Sequence, residues 1–215
     1  APLHNPEGLE GIKATRKVLK DIPMVAVFDT AFHQTLPLMA YIYQIPYKYY
    51  EKYKIRKYGF HGTSHKYVSN RVAQIVGEDI EKLKIINCHI GQGASICAID
   101  KGKSVDTTMG LTPTAGIPMA TRSGDIDPAI IPYIMRIEDL DANEIERMLN
   151  KKSGAWGVSG VSEDYRDIER EYENGDKRSI LALDTQAYKI AQTIASYIVT
   201  LQGVDIITFS GGVGE

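Results

Sequence analysis

Apolar positions in this chain follow two patterns, helical spacing and short unbroken runs, and together they predict an α/β fold. Leu9, Ile12, Arg16 and Leu19 hold helical spacing behind an Asn5-Pro6 start signal, and Lys13, Arg16, Lys17 and Lys20 crowd the end where cations suit the helix dipole. Pro23 stops that helix. The run Met24–Phe28 predicts a buried strand that delivers Asp29 at its C-terminal end. Asp29 is read there in two ways, as a carboxylate where open α/β sheets bind ligands or as the cap of the next helix. Val68, Val72 and Ile75 predict a helix capped by Thr63 or Ser64 and ended by Gly77. The apolar runs Ile85–Cys88 and Ala94–Ile99 flank the tight turn Gly91-Gln92-Gly93, with a second turn at Asp100–Lys103, and read as antiparallel hairpins. Asp127-Pro128 opens a helical run through Ile131, Ile134 and Met135, and Asp141 with Glu144 forms a capping box for Ile145, Met148 and Leu149. A loop holding Trp156 is expected over 151–160, then a charged helix from Ser162 with a solvated face. Ala187, Ile190, Ala191, Ile194, Ala195, Ile198 and Leu201 make the cleanest helical stripe, closed by Gly203. A strand over 204–209 then runs into the glycine turn Ser210–Gly214.

The polar residues collect in the turns. His89, Gln92, Asp106, Thr107 and Thr108 lie at or near the hairpin tips, and Arg122 is bracketed by Thr121, Ser123, Gly124 and Asp125. Glycines let backbone N–H groups approach an anion, and the arginine fork matches phosphate oxygens. A plain hairpin remains the alternative for the glycine pair alone. His61 and His65 stand four apart and invite a metal reading, but Gly62 occupies the position where a zinc-protease helix needs Glu. Tyr41, Tyr43, Tyr47, Tyr49, Tyr50, Tyr53 and Tyr58 interleave with Lys48, Lys52, Lys54, Arg56 and Lys57. They read as amphipathic residues closing a surface rather than as a platform for single-stranded nucleic acid.

Composition narrows the class. The 215 residues are 43% apolar and 24% charged, as in soluble globular proteins, and a formal charge of -2 argues against a nucleic-acid footprint. No apolar run reaches the length of a membrane span, and the start has no secretory pattern. Cys88 and Cys97, the two cysteines, are expected as buried strand thiols in a reducing compartment, so the cytoplasm is the expected location. A chain that opens on Ala1 and stops in the turn Gly211–Glu215 gives a fragment of a larger protein as the expectation.

Backbone amides, one arginine, histidines, hydroxyls and strand-end carboxylates suit phosphoryl transfer, where catalysis is mostly positioning and charge stabilisation. No Walker-type GxxxxGK[ST] is present. VFDTAFHQTLP (Val27–Pro37), YGFHGTSH (Tyr58–His65), NCHIGQGAS (Asn87–Ser95), SVDTTMGLTP (Ser104–Pro113), TRSGDIDP (Thr121–Pro128) and FSGGVGE (Phe209–Glu215) closely resemble the acetate kinase family, in order and over essentially the whole chain. The resemblance implies the sugar kinase–Hsp70–actin superfamily, with two ribonuclease-H-like α/β domains around a nucleotide cleft. It implies a domain boundary here, 1–30 ending the N-terminal domain and 31–215 beginning the C-terminal nucleotide-binding one. It implies reversible transfer from ATP to acetate, giving ADP and acetyl phosphate with Mg2+, by a homodimer with no nucleic-acid or membrane partner.

Carried over by position, the resemblance implies that Asp29 lies at the catalytic centre and that His61 and Arg122 stabilise the transition state. His89, Ile90, Gly91, Gln92 and Gly93 would line the nucleotide phosphates, Asp164, Tyr165 and Arg166 the adenosine, and Gly212, Val213, Gly214 and Glu215 the adenine side. Leu3, Phe60 and Pro113 match an apolar pocket around the acetate methyl group, and His4 and His33 match polar residues nearby. No metal ligand is assigned within the chain, apart from an indirect role for Asp29. The family's first strands would precede Ala1, and a magnesium-linked Glu would follow Glu215. The chain departs from the family at Gln92, where Asn is usual, at Thr114-Ala115-Gly116, where Leu-Glu-Gly is common, and at Ala120, where Gly is. Three alternatives stand beside this reading: a non-catalytic nucleotide-binding relative, a propionate or butyrate kinase, and a metal-dependent hydrolase built on Asp29, His33, His61, His65, Asp125 and Asp127.

Overall fold

Four strands frame the computed structural model, which describes residues 5–215. β1 (Lys84–Ile90), β2 (Ala94–Asp100) and β3 (Lys103–Thr107) form an antiparallel meander, and β4 (Ile206–Ser210) lies parallel to β1, giving the order β3-β2-β1-β4. Both expected hairpins are present. Cys88 sits opposite Ile96 and His89 opposite Ser95, so the polar pair falls at the turn end of the ladder.

The period of two along β1 and β2 sends their side chains to two cores. Ile86, Cys88, Ile90, Ile96 and Ala98 meet Met109, Ile117 and Met119 on one face, with Tyr197 and Leu201 from the long helix α9 (Lys177–Leu201). Ile85, Cys97 and Ile99 meet Ala73 and Leu83 on the other, beneath helix α4 (Gly62–Val76). β1 and β2 are thus covered on both faces, which is why they read as near-continuous apolar runs, whereas Ile207 and Phe209 of β4 stay exposed. Ahead of α4 lie α1 (Asn5–Val18), α2 (Leu38–Tyr41) and α3 (Lys48–Tyr53). Between β3 and α9 come α5 (Ile130–Ile137), α6 (Ala142–Lys151), α7 (Gly154–Ser159) and α8 (Tyr165–Glu173), with the Asp141–Glu144 capping box formed at α6. No helix of the described residues is long and apolar enough to cross a membrane.

Several expectations are corrected. Met24–Phe28 is not a buried strand: Val25, Val27 and Phe28 are 86%, 76% and 63% exposed. A strand needs a neighbour for its N–H and C=O groups, and no described segment pairs with this one. Helix α4 starts from His61 rather than being capped by Thr63 or Ser64, and it buries Gly62, His65, Ser69 and Ala73 while Ile75 stays exposed. On this small, polar inward face His65 hydrogen-bonds to Ser95 and Asn87 of the sheet, while Ser69 bonds within the helix. The 151–160 loop contains the short helix α7, whose glycines hide its period. Tyr165 and Ile168 turn one side of the charged α8 into core, so its solvated face covers only the outward positions. Along α9, Ile190 and Ile194 pack against the core, but Ala187, Ala191 and Ala195 are exposed. Cys88 and Cys97 are buried free thiols, and burial pushes both up to about 12.

Candidate active site

The geometry starts from Asp29. Its carboxylate accepts hydrogen bonds from the backbone N–H groups of His61 and, at 3.3 Å, Thr63, satisfying two donors in the first turn of α4. Asp29 thus has a capping role, though not for the next helix as expected: the helix it serves, α4, begins some thirty residues away. The Asp29 carbonyl accepts from Gly62 N at 2.9 Å, and a Cβ on Gly62 would lie 2.1 Å from that oxygen, so only glycine fits there. His61 itself is left-handed, with φ of 56°, a conformation costing a non-glycine residue about 1–2 kcal/mol and common at functional sites.

This strained turn aims the His61 ring at the β1–β2 hairpin. His61 Nδ1 lies 2.9 Å from Ser95 Oγ, and its ring centroid is 4.2 Å from that of His89. Burial, then the neighbouring His89, lowers the His61 pKa to about 4 against the opposing pull of Asp29, so the ring is neutral at pH 7. His89 is also lowered by burial, and its Nδ1 is 2.9 Å from Ser64 Oγ. Arg122 reaches the same place from the loop after β3, its Nη1 resting 3.5 Å from the Pro113 carbonyl and 3.7 Å from Met119 Sδ. Among the described residues no carboxylate pairs with it. A half-buried cation without an acid partner leaves its charge available to an anion. Gly93 marks the meeting point: a Cβ there would lie 3.2 Å from Arg122 Nη1 and 3.5 Å from His61 Nε2.

The second glycine turn docks on the first. Ile90 is buried, and its carbonyl accepts from Val213 N and Gly214 N, both at 3.1 Å, which ties Gly212–Gly214 to the hairpin. Gly91 N donates to Gly93 O at 3.2 Å, while Gln92 is exposed at the tip and its carbonyl accepts from Ala120 N. Glu215 follows as an exposed residue.

The other expected site residues are placed as follows. His33 is fully buried between Ser104 Oγ at 2.8 Å and the Phe60 carbonyl at 2.9 Å, so it holds the backbone next to His61 from beneath. Phe60 and Pro113 are both buried. Asp164 caps α8 and grips the Arg166 guanidinium, which holds its carboxyl at about 2, and no hydrogen bond or ion pair among the described residues joins this pair to the hairpin. Tyr165 turns its side chain into the core, where its phenol meets Gln186 Nε2 at 2.6 Å. Leu3 and His4 lie outside the described residues. Among those residues no three His, Cys, Asp or Glu side chains converge to hold a metal ion.

Sequence reasoning missed Ser95 and Asn87, and it read His65 only as a metal candidate. His65 Nε2 lies 2.8 Å from Ser95 Oγ, its Nδ1 lies 3.0 Å from Asn87 Nδ2, and Asn87 Oδ1 accepts from Thr208 at 2.9 Å. The available signal was polar residues at fully buried positions in otherwise apolar strands.

The acetokinase family's sequence profile matches residues 1–215. Acetate kinases from Thermoanaerobacterium thermosaccharolyticum and Acetivibrio thermocellus are 60% and 59% identical over all of this chain, which covers 54% of each. A crystal structure of Porphyromonas gingivalis acetate kinase superposes with a TM-score of 0.96 at 50% identity, covering 100% of this chain and 54% of that one. A propionate kinase from Francisella tularensis gives 0.95 at 46%, covering 100% and 55%. These neighbours have the actin-like ATPase fold, in agreement with the mixed sheet and flanking helices. The chain spans about half the length of these relatives. With its full length matched by one profile, this chain belongs to the acetokinase family.

Proposed function

We propose that the protein carrying this chain transfers the γ-phosphoryl group of ATP to acetate, giving acetyl phosphate and ADP, and runs the reverse reaction. The observation that carries the reading is the convergence of Arg122 and His61 on Gly93, two donors aimed at one point beside a glycine hairpin. A carboxylic acid of pKa about 4–5 is already ionised at neutral pH, so its attack on phosphorus needs no general base. The obstacle is one anion approaching another. Arg122 supplies a permanent charge and the neutral His61 ring a hydrogen-bond donor to the equatorial oxygens, an arrangement that stabilises charge as it spreads in the transition state. Asp29, committed to two backbone N–H groups, supports a positioning role for the start of α4 rather than proton abstraction.

The glycine turns Gly91–Gly93 and Gly212–Gly214 offer backbone to the phosphates and adenine side, and Asp164 and Arg166 offer exposed polar groups to the adenosine. Phe60 and Pro113 are the apolar residues proposed around the methyl group. Mg2+ is bound largely by phosphates and water with one or two carboxylates. The described residues supply no ligand cluster for it. We assign 1–30 to the end of one domain and 31–215 to the next, in a cytoplasmic homodimer. Propionate is the second acceptor considered, because the propionate kinase superposes almost as well.

Hydroxamate trapping with ATP and either acid tests the reading in the natural polypeptide. Acetyl phosphate formation is expected, with acetate preferred. Failure to form it from acetate overturns the proposal.

A further inference from the structure

We infer that Asn87, His65 and Ser95 form a directed hydrogen-bond relay that fixes His61 as the Nε2–H tautomer, a donor pointed at Gly93. The inference rests on the catalytic reading of His61 and adds the residues that set its proton.

With the Asn87 amide oriented so that Oδ1 faces Thr208, the direction follows from valence. Thr208 donates its hydroxyl hydrogen to Asn87 Oδ1 at 2.9 Å, which leaves the Asn87 amide nitrogen for His65. That nitrogen has only hydrogens to offer, so His65 Nδ1, 3.0 Å away, accepts. A neutral imidazole accepting at Nδ1 carries its hydrogen on Nε2, and that atom faces Ser95 Oγ at 2.8 Å. Ser95 thereby receives a hydrogen bond and turns its own hydrogen toward its remaining ring partner, His61 Nδ1, at 2.9 Å. His61 Nδ1 accepts, so its hydrogen sits on Nε2, the ring atom nearest the position a Cβ on Gly93 would take. Asn87, His65 and Ser95 are each fully buried, so water does not compete for these bonds. Burial also disfavours the charged form of His65, which keeps the chain of donors single-valued. Reversing any member would turn His61 Nε2 into an acceptor beside a phosphoryl oxygen, two lone pairs facing each other.

Asn87, His65 and Ser95 are accordingly positioning residues. Each acts through the next.

Long-range proton–nitrogen NMR of the natural polypeptide reads the tautomer directly. The expected spectrum shows His61 predominantly with hydrogen on Nε2 at pH 7. A spectrum with hydrogen on Nδ1, or an even mixture, overturns the relay whatever the enzyme's activity. Ser95→Ala is expected to scramble the His61 tautomer and lower kcat about tenfold with KM for ATP little changed. Ser95→Thr, which keeps the hydroxyl, is expected to restore both. If Ser95→Ala folds and leaves the tautomer fixed, the relay is refuted. Near-normal turnover in His61→Ala would instead sink the catalytic reading and leave the relay standing.

Discussion

Gly93→Ala isolates the point where the two donors meet. The new methyl carbon would lie 3.2 Å from Arg122 Nη1 and 3.5 Å from His61 Nε2, close to the shell an accepted oxygen would occupy. Backbone strain is not at issue, because Gly93 is absent from the residues with positive φ. Both contacts are ends of side chains that can yield a few tenths of an ångström, so stability should change by less than about 1 kcal/mol. Catalysis should suffer far more. Removing one such donor costs about 3–4 kcal/mol, roughly 10²–10³ in rate, and the methyl group obstructs two. A loss of at least about 10² in kcat is therefore expected, read by hydroxamate trapping beside a thermal melt. Gly11→Ala is the control: it lies on the exposed helix α1 with nothing within 4 Å of the added Cβ, and it should retain full activity. A folded Gly93→Ala protein with turnover within twofold of the parent, or equal losses in both variants, would refute the convergence.

Arg122→Ala should cut turnover by about 10²–10³ with the melting temperature preserved; turnover near normal would remove Arg122 from the chemistry. Acidification should destabilise the fold before most carboxylates titrate. His61 has a folded pKa of about 4 against an ordinary 6.5, so the stability it contributes is present above pH 6.5 and is lost as pH falls through 4, of order 3 kcal/mol in all. His33, His65 and His89 shift in the same direction and add to it. Urea midpoints that stay level from pH 7 to pH 5 would contradict this. Cys88 and Cys97 should resist a thiol reagent at pH 8 in the folded state and react after unfolding; prompt native labelling would contradict their burial.

The sheet was legible because local signals and packing agree there. The runs around Gly91–Gly93 and at 204–209 are apolar, short and bounded by turns, and β1, β2 and β4 follow them closely. Met24–Phe28 carried the same signal and failed, since an apolar run forms a strand only where a neighbour takes its hydrogen bonds. Arg122 and the glycine turn stood out by composition alone. Asp29 was visible as a helix cap, but which helix it served was not, because a cap closed over so long a loop leaves no mark in residue spacing. Ser95 and Asn87 were invisible for a related reason: each reads as an ordinary strand residue until the fold stacks them against His65, which stood out only as a metal candidate. Tyr165 misled in the other direction, because a charged neighbourhood hid a side chain that packs against Ala120 and Ala182.

The Ile90 carbonyl, shared by Val213 N and Gly214 N, makes the two glycine turns one mechanical joint. A ligand that stiffens the hairpin side lowers the entropic cost of ordering the other, and linkage requires the converse by the same factor. The two ends of a nucleotide would then be held cooperatively through a single oxygen atom. A binding cycle over phosphate and adenosine fragments measures that coupling, and simple additivity would show that the joint is slack.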